Sequence, residues 1–268
     1  MDPDQLLRHL PAVNHGDYRS RAQPSSRDQA GLYWIFKNID FEQWQYTIGS
    51  EALWVSGPAE CHISDASSCI VDLLKEKPSQ SQHLVLYFFC STVPTTSTRT
   101  PIAITFVNTI IHQLACRLPQ LKEKITVVFL GTLLDTILRD EPISDPKRSR
   151  FKTNDSVEAT VKKILKAPSS GYWDALRAVL DIGRRKELSL IIDGLDEIEH
   201  QKYQFIRELY VFIEKLKGRL STTRVLLTSR PEAEIKEILG QLPSIEYDRE
   251  RKGLVLLISY PQDNRQTS

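Results

Sequence analysis

The chain has 268 residues, 35 Lys+Arg against 34 Asp+Glu, and a formal net charge of +1. At 26% charged and 41% hydrophobic it has the make-up of a folded globular protein, neither disordered nor fibrous. The charge balance excludes binding driven by wholesale phosphate neutralisation along a nucleic acid, which needs a basic surplus.

The opening Met-Asp-Pro-Asp-Gln has no apolar stretch of the signal-peptide kind, and residues 1–27, polar and broken by Pro11 and Pro24, are expected to form a disordered leader. Between 28 and 50, Leu32, Trp34, Ile35, Phe36, Ile39, Phe41 and Trp44 predict a short N-terminal helical segment packed on the next part of the chain. The β-type run 52–56 leads into Gly57-Pro58. Ser64 and Asp65 then read as the N-cap and first residue of a helix with Ile70, Val71 and Leu74 on one face. Residues 83–90 are a continuous apolar run of strand length, the pattern of a strand buried on both sides.

Helical spacing comes next at 101–118 and 120–138. A charged loop with two prolines is predicted over 139–155, and helical patterns return at 156–166 and 171–184. The run 188–192 is a second buried strand and ends at Asp193-Gly-Leu-Asp-Glu197. A strong helix then carries Phe205, Leu209, Phe212, Ile213 and Leu216, with Gly218 near its C-terminus. A further strand, 224–228, precedes Ser229-Arg230-Pro231 and a helix over 232–240. Strands alternating with helices predict βαβ units, hence an α/β fold on a parallel sheet. The longest apolar runs, 84–90 and 254–258, fall far short of the ~18 residues of a membrane span. Cys61, Cys69, Cys90 and Cys116 show no paired spacing, which reads as reduced thiols in a cytoplasmic protein and gives no metal site.

In open α/β sheets, ligands bind outside the carboxyl ends of the strands. Three such ends carry informative residues. Asp193 stands where a carboxylate holds Mg²⁺ directly or through water, and Asp196 and Glu197 stand where an attacking water is positioned. The plainer reading makes them helix-start acids at the positive end of a helix dipole. Thr228-Ser229-Arg230-Pro231 puts two hydroxyls and an arginine at a strand end, suited to sensing a γ-phosphate or simply to opening the next helix. The third end should carry G-x-x-x-x-G-K-[ST], and the residues there are Gly57-Pro58-Ala59-Glu60-Cys61-His62-Ile63-Ser64. Gly57 and Ser64 fit the first and last positions. His62 stands in place of the second glycine and Ile63 in place of the lysine. Glycine is scarce throughout, 11 in 268 or about 4%, against a usual ~7%.

Taken in order, Leu53-Trp-Val-Ser-Gly57-Pro, Leu86-Tyr-Phe-Phe-Cys90, Ile192-Asp-Gly-Leu-Asp-Glu197 and Thr228-Ser-Arg-Pro231 resemble the NACHT-type (nephrocystin-like) P-loop module. Such modules belong to the STAND class of regulatory NTPases and are common in large fungal proteins. The stretch from Gly31-Leu-Tyr-Trp-Ile-Phe36 to Phe41-Glu-Gln-Trp44 resembles the approach to the module in fungal members. The resemblance covers about residues 28–240. It implies a three-layer P-loop NTPase-like parallel sheet with helices on both faces, over 51–240, and then a truncated segment 241–268. It implies Mg-ATP or Mg-GTP as cofactor. Gly57, Ser64 and Arg230 would contact the nucleotide, Asp193 and Ser64 the metal, and Asp196 and Glu197 would be the catalytic acids.

The lysine's role passes to no residue, because Ile63 has no charge. Two unit charges ~4 Å apart interact by roughly 4 kcal/mol at an effective dielectric of ~20. Glu60, where the family commonly has glycine, adds repulsion of similar size if it faces phosphate. Micromolar affinity amounts to only about 8 kcal/mol. The expectation is therefore a degenerate module that serves as a regulatory or signalling interaction domain. Its contacts are protein partners, with self-association among them, and neither nucleic acid nor membrane; nucleotide binding is weak or lost and hydrolysis inefficient. Two alternatives stay open. One is a working ATP or GTP switch that binds through backbone amides, Ser64 and Mg²⁺ on Asp193. The other is a fragment of a larger STAND protein, which would continue into a winged-helix segment and a repeat array.

Overall fold

The computed structural model describes residues 5, 8–15, 33–47, 49–76, 83–93, 100–140, 157–182, 187–217 and 223–247. They fall into two compact units, one formed by residues 1–15 and 92–186, the other by 16–91 and 187–268.

The second unit holds the sheet. Its elements in chain order are two short helices, α1 (Tyr33–Phe36) and α2 (Ile39–Tyr46), then β1 (Glu51–Ser56), α3 (Ile63–Glu76) and β2 (Leu84–Phe89). After the chain has passed through the first unit come β3 (Leu188–Asp193), a 3₁₀ turn (Leu195–Glu197) and a long helix (Lys202–Leu216). Next are β4 (Thr223–Ser229), a short helix (Ala233–Leu239) and β5 (Ser244–Glu246). The five strands form one sheet in the order β2-β3-β4-β1-β5, with every pairing parallel. The α/β class expected from the alternation of strands and helices is the class observed.

Alternation along each strand divides the core. Leu53, Val55, Val85, Ile191, Leu226 and Ile245 point to one face and pack with Trp34, Ile35, Phe41 and Trp44 of α1 and α2 and with Ala66, Ile70, Val71 and Leu74 of α3. The residues between them, Trp54, Leu86, Phe88, Leu190, Ile192 and Leu227, are buried as well. Both faces of the strands are therefore covered, as an all-parallel sheet requires. Right-handed crossovers account for the distribution of helices. The β1-α3-β2 connection runs along the sheet in one direction, and β3-to-β4 and β4-to-β5 run in the other. The helices of the latter two consequently lie on the face opposite α3, where they pack on each other.

The first unit is helical, with α4 (Ile102–Arg117), α5 (Lys122–Asp140), α6 (Val157–Ile164) and α7 (Ser169–Ile182). The two later helices of the second unit are then α8 (Lys202–Leu216) and α9 (Ala233–Leu239). The pairs Phe106–Trp173 (ring centroids 5.3 Å apart) and Phe129–Tyr172 (6.1 Å) knit α4, α5 and α7 together. Residues 8–15, assigned by composition to the leader, are anchored within this unit. Leu10 and His15 are buried, the Val13 N–H donates to Thr109 Oγ1 (3.0 Å), and His15 Nδ1 lies 2.8 Å from Thr92 Oγ1.

Other departures from the sequence reading have local causes. The N-terminal helical segment is two helices, because Asn38 breaks the first and caps the second, its Oδ1 accepting the Asp40 N–H at 2.8 Å. Helix α3 begins at Ile63, not at Asp65, since His62 adopts a left-handed conformation (φ 55°) that turns the chain two residues earlier. Helix α5 runs on to Asp140, two residues into the predicted loop. Strand β5 has no counterpart among the predicted strands. The rest of that loop over 141–155, Gly218 and the apolar run 254–258 lie outside the described residues.

Candidate functional site

The chain leaves β1 toward β2 on one face and leaves β4 toward β5 on the other, although β1 and β4 are neighbours. Such a divergence opens a crevice at the carboxyl ends of the two strands, the usual ligand position in a parallel sheet. The crevice here is a cleft of about 180 Å³, lined by residues 57–59, 62–65, 194, 196–197 and 228–230. It is small against the roughly 300–1,000 Å³ of pockets that enclose a drug-sized ligand. Gly57, Ser64, Asp196, Glu197 and Arg230, scattered over the sequence, all line it.

Asp193 lies at the base of the cleft, fully buried. Its Oδ1 accepts hydrogen bonds from Thr228 Oγ1 (2.6 Å) and Ser67 Oγ (2.7 Å), while the Gly194 N–H donates to Thr228 Oγ1 (3.1 Å). Burial pushes the carboxyl above its ordinary range, and the hydroxyls of Thr228, Ser67 and Ser64 oppose that shift. Oδ2 is buried without a well-formed hydrogen bond. Neighbouring Ser229 accepts from Trp54 Nε1 (3.0 Å), which ties the ends of β1 and β4 together. Glu197 is exposed at the mouth and is also pushed up, first by desolvation and then by Asp193 and Asp196.

The 57–64 turn is built differently from an anion cradle. Residues 59–61 form a 3₁₀ turn that drives Cys61 into the apolar core, its Sγ donating to Pro58 O at 2.9 Å. Desolvation raises this thiol to about 11, so it stays protonated at neutral pH. Ile63 packs against the same cluster. A Cβ on Gly57 would meet Cys61 Sγ at 2.6 Å, Tyr247 Cβ at 2.8 Å and Ile63 Cδ1 at 3.2 Å, so glycine is demanded here by close packing. Glu60 is exposed and does not line the cleft. The carboxylate that does so from this side is Asp65, 3.0 Å from His62 Nδ1.

Among the described residues, Arg230 is the one arginine or lysine that lines the cleft. Its backbone N–H donates to Asp196 Oδ1 (2.9 Å) and its Nε lies 3.3 Å from Asp196 Oδ2. Among the described residues, no group of three or more His, Cys, Asp or Glu is placed to hold a metal. Magnesium rarely needs such a group, since it keeps several waters and takes one or two carboxylates beside substrate phosphates. The Asp193 carboxyl, with Oδ2 unpartnered and the Ser64 hydroxyl interacting with the group, fits that role. The rest of the cleft does not fit a triphosphate, because it offers an apolar side chain at 63 and acids at 65, 196 and 197.

The nephrocystin 3 N-terminal family matches residues 32–130. Over that stretch the chain is nephrocystin-like. The matched residues include β1, the 57–64 turn, α3 with Ser64, and β2, and end before Asp193 and Arg230. No curated protein matches the chain. Among the described residues, no helix is long and apolar enough to cross a membrane.

Ser67 is a site residue that sequence reasoning did not find. It lies one helical turn beyond Ser64, and the signal available was a pair of serines, Ser67 and Ser68, on the otherwise apolar face of α3.

Proposed function

We propose that the chain is a degenerate NACHT-type module of the STAND class, of the fungal kind, acting as a regulatory or signalling domain through protein contacts. Nucleotide binding in it is weak or lost. The observation that carries this reading is the loop. Where a phosphate-binding lysine would stand, Ile63 lines the cleft half-buried and packs against the apolar core, and Cys61 and Gly57 close up behind it. Electrostatics points the same way, since among the described residues Asp65, Asp196 and Glu197 line the cleft with Arg230 as the one lysine or arginine. An approaching triphosphate therefore meets a net negative wall.

A second reading, a nucleotide switch, is favoured by one feature, the buried Asp193 carboxyl with Oδ2 unpartnered and the Ser64 hydroxyl interacting with the group, which suits magnesium. When bound, the metal would neutralise phosphate charge. This chain's own contribution would be to hold it with Ser64 and Asp193, with Ser67 and Thr228 fixing the carboxylate. Titration with a fluorescent ATP analogue and Mg²⁺ separates the readings. The degenerate module gives no saturation at micromolar analogue. Micromolar saturation that vanishes in Asp193→Ala would overturn it in favour of the switch. The triple variant Glu60→Gly, His62→Gly, Ile63→Lys is expected to gain binding, because the metal corner is already in place.

A further inference from the structure

We infer that Asp196 is an internal anion that occupies Arg230 and holds down the phosphate affinity of the cleft. A phosphate that approaches the guanidinium meets this negative charge beside it. The inference rests on reading the cleft as a remnant phosphate site and adds how that site is kept closed to phosphate.

Arg230 meets one carboxylate twice, its backbone N–H donating to Oδ1 (2.9 Å) and its guanidinium forming an ion pair with Oδ2, Nε at 3.3 Å. The Asp196 side chain is 8% exposed and the Arg230 side chain 60% exposed, so the acid is the fixed member and the arginine the movable one. Among the described residues no other lysine or arginine lines the cleft to take its place, and His62 is directed at Asp65. The loop that carries Arg230 has an independent anchor. Lys202 Nζ, at the start of α8, lies 3.1 Å from both carboxylate oxygens of Glu232, immediately before α9. The loop thus holds its position whether or not Arg230 is engaged, and the side chain can exchange one acceptor for another without dismantling the site.

Asp196→Asn isolates the charge, because asparagine keeps an oxygen to accept the Arg230 N–H. The test is isothermal titration of sodium pyrophosphate in excess Mg²⁺ into the wild type, Asp196→Asn and the double variant Asp196→Asn/Arg230→Gln. Thermal melts confirm that each is folded, and Asp196→Ser replaces the first variant should it fail. Asp196→Asn is expected to bind about fivefold tighter than wild type, the size of an exposed ion pair. The gain should vanish in the double variant and shrink as salt is raised. Equal affinity of wild type and Asp196→Asn, or a gain that survives Arg230→Gln, overturns the inference. If no variant binds pyrophosphate, the inference also falls, while the reading of lost nucleotide binding stands. Micromolar, Asp193-dependent nucleotide binding by the wild type overturns that reading instead, and the ratio of the two pyrophosphate affinities still decides the role of Asp196.

Discussion

Asp193 is a carboxylate held where its charge is costly, and this fixes the sign of a pH effect. Its folded-state value is raised above the ordinary 3.8, chiefly by burial. The native state therefore binds this proton more readily than the unfolded state, and its contribution to stability is lost as pH rises from 3.8 through the raised folded value. Asp193→Asn has no such step. Its stability relative to wild type, from urea midpoints at a series of pH values, should climb through that window and level off above it. A difference independent of pH would show that the carboxylate is not penalised. Asp193 and Arg230 could be picked out from sequence because apolar runs of strand length deliver them to strand ends. Ser67 and Cys61 could not, since their roles depend on contacts that sequence does not reveal. Ser67 meets Asp193 across 126 positions, and Cys61 matters because it fills space beneath Gly57.

Between elements, Arg224 joins three pieces at the amino end of the sheet. The residue is 5% exposed on β4; its Nη1 donates to Gln45 O in the last turn of α2 (2.6 Å), and its Nη2 to Glu187 Oε2 just before β3 (2.6 Å). Replacing it with methionine keeps most of the volume but leaves the Gln45 carbonyl unserved, while Glu187, 42% exposed, can return to water. Arg224→Met should cost about 1–3 kcal/mol in urea unfolding and speed amide exchange in α2 before other elements. An unchanged α2 would place the tie elsewhere. The long elements were legible because period and length agree, as in 188–192 and the stripe Phe205, Leu209, Phe212 and Leu216. Strand β5 was not, since Ser244–Glu246 has a single buried apolar residue, Ile245, and its identity comes only from pairing with β1. The start of α3 differs by two residues from its expected place because a left-handed histidine is not predicted by propensity.

At the scale of the whole molecule, the order β2-β3-β4-β1-β5 makes the sheet depend on the end of the chain. Strands β1 and β2 are made first, yet β3 and β4 lie between them, so neither has a neighbour until the chain has passed through the helical unit. A protein ending at residue 186 should accordingly show helix by circular dichroism, no cooperative sheet unfolding, and ready proteolysis of residues 51–89. Protection of that stretch would mean that β1 and β2 find another arrangement. Alternation of strands and helices made the α/β class readable in advance. The order of strands was not, because it depends on crossovers whose direction no local pattern encodes. The same topology governs what happens on the ribosome. From the end of β2 to the end of β4, 140 residues (229 − 89) must be added, roughly 7–30 s of synthesis at the usual 5–20 residues per second. Val85, Phe88 and Phe89 wait on a bare strand until β3 is made, and Leu53 and Val55 until β4 is made, which makes the nascent chain a client for chaperones and favours slow translation at low temperature for its production.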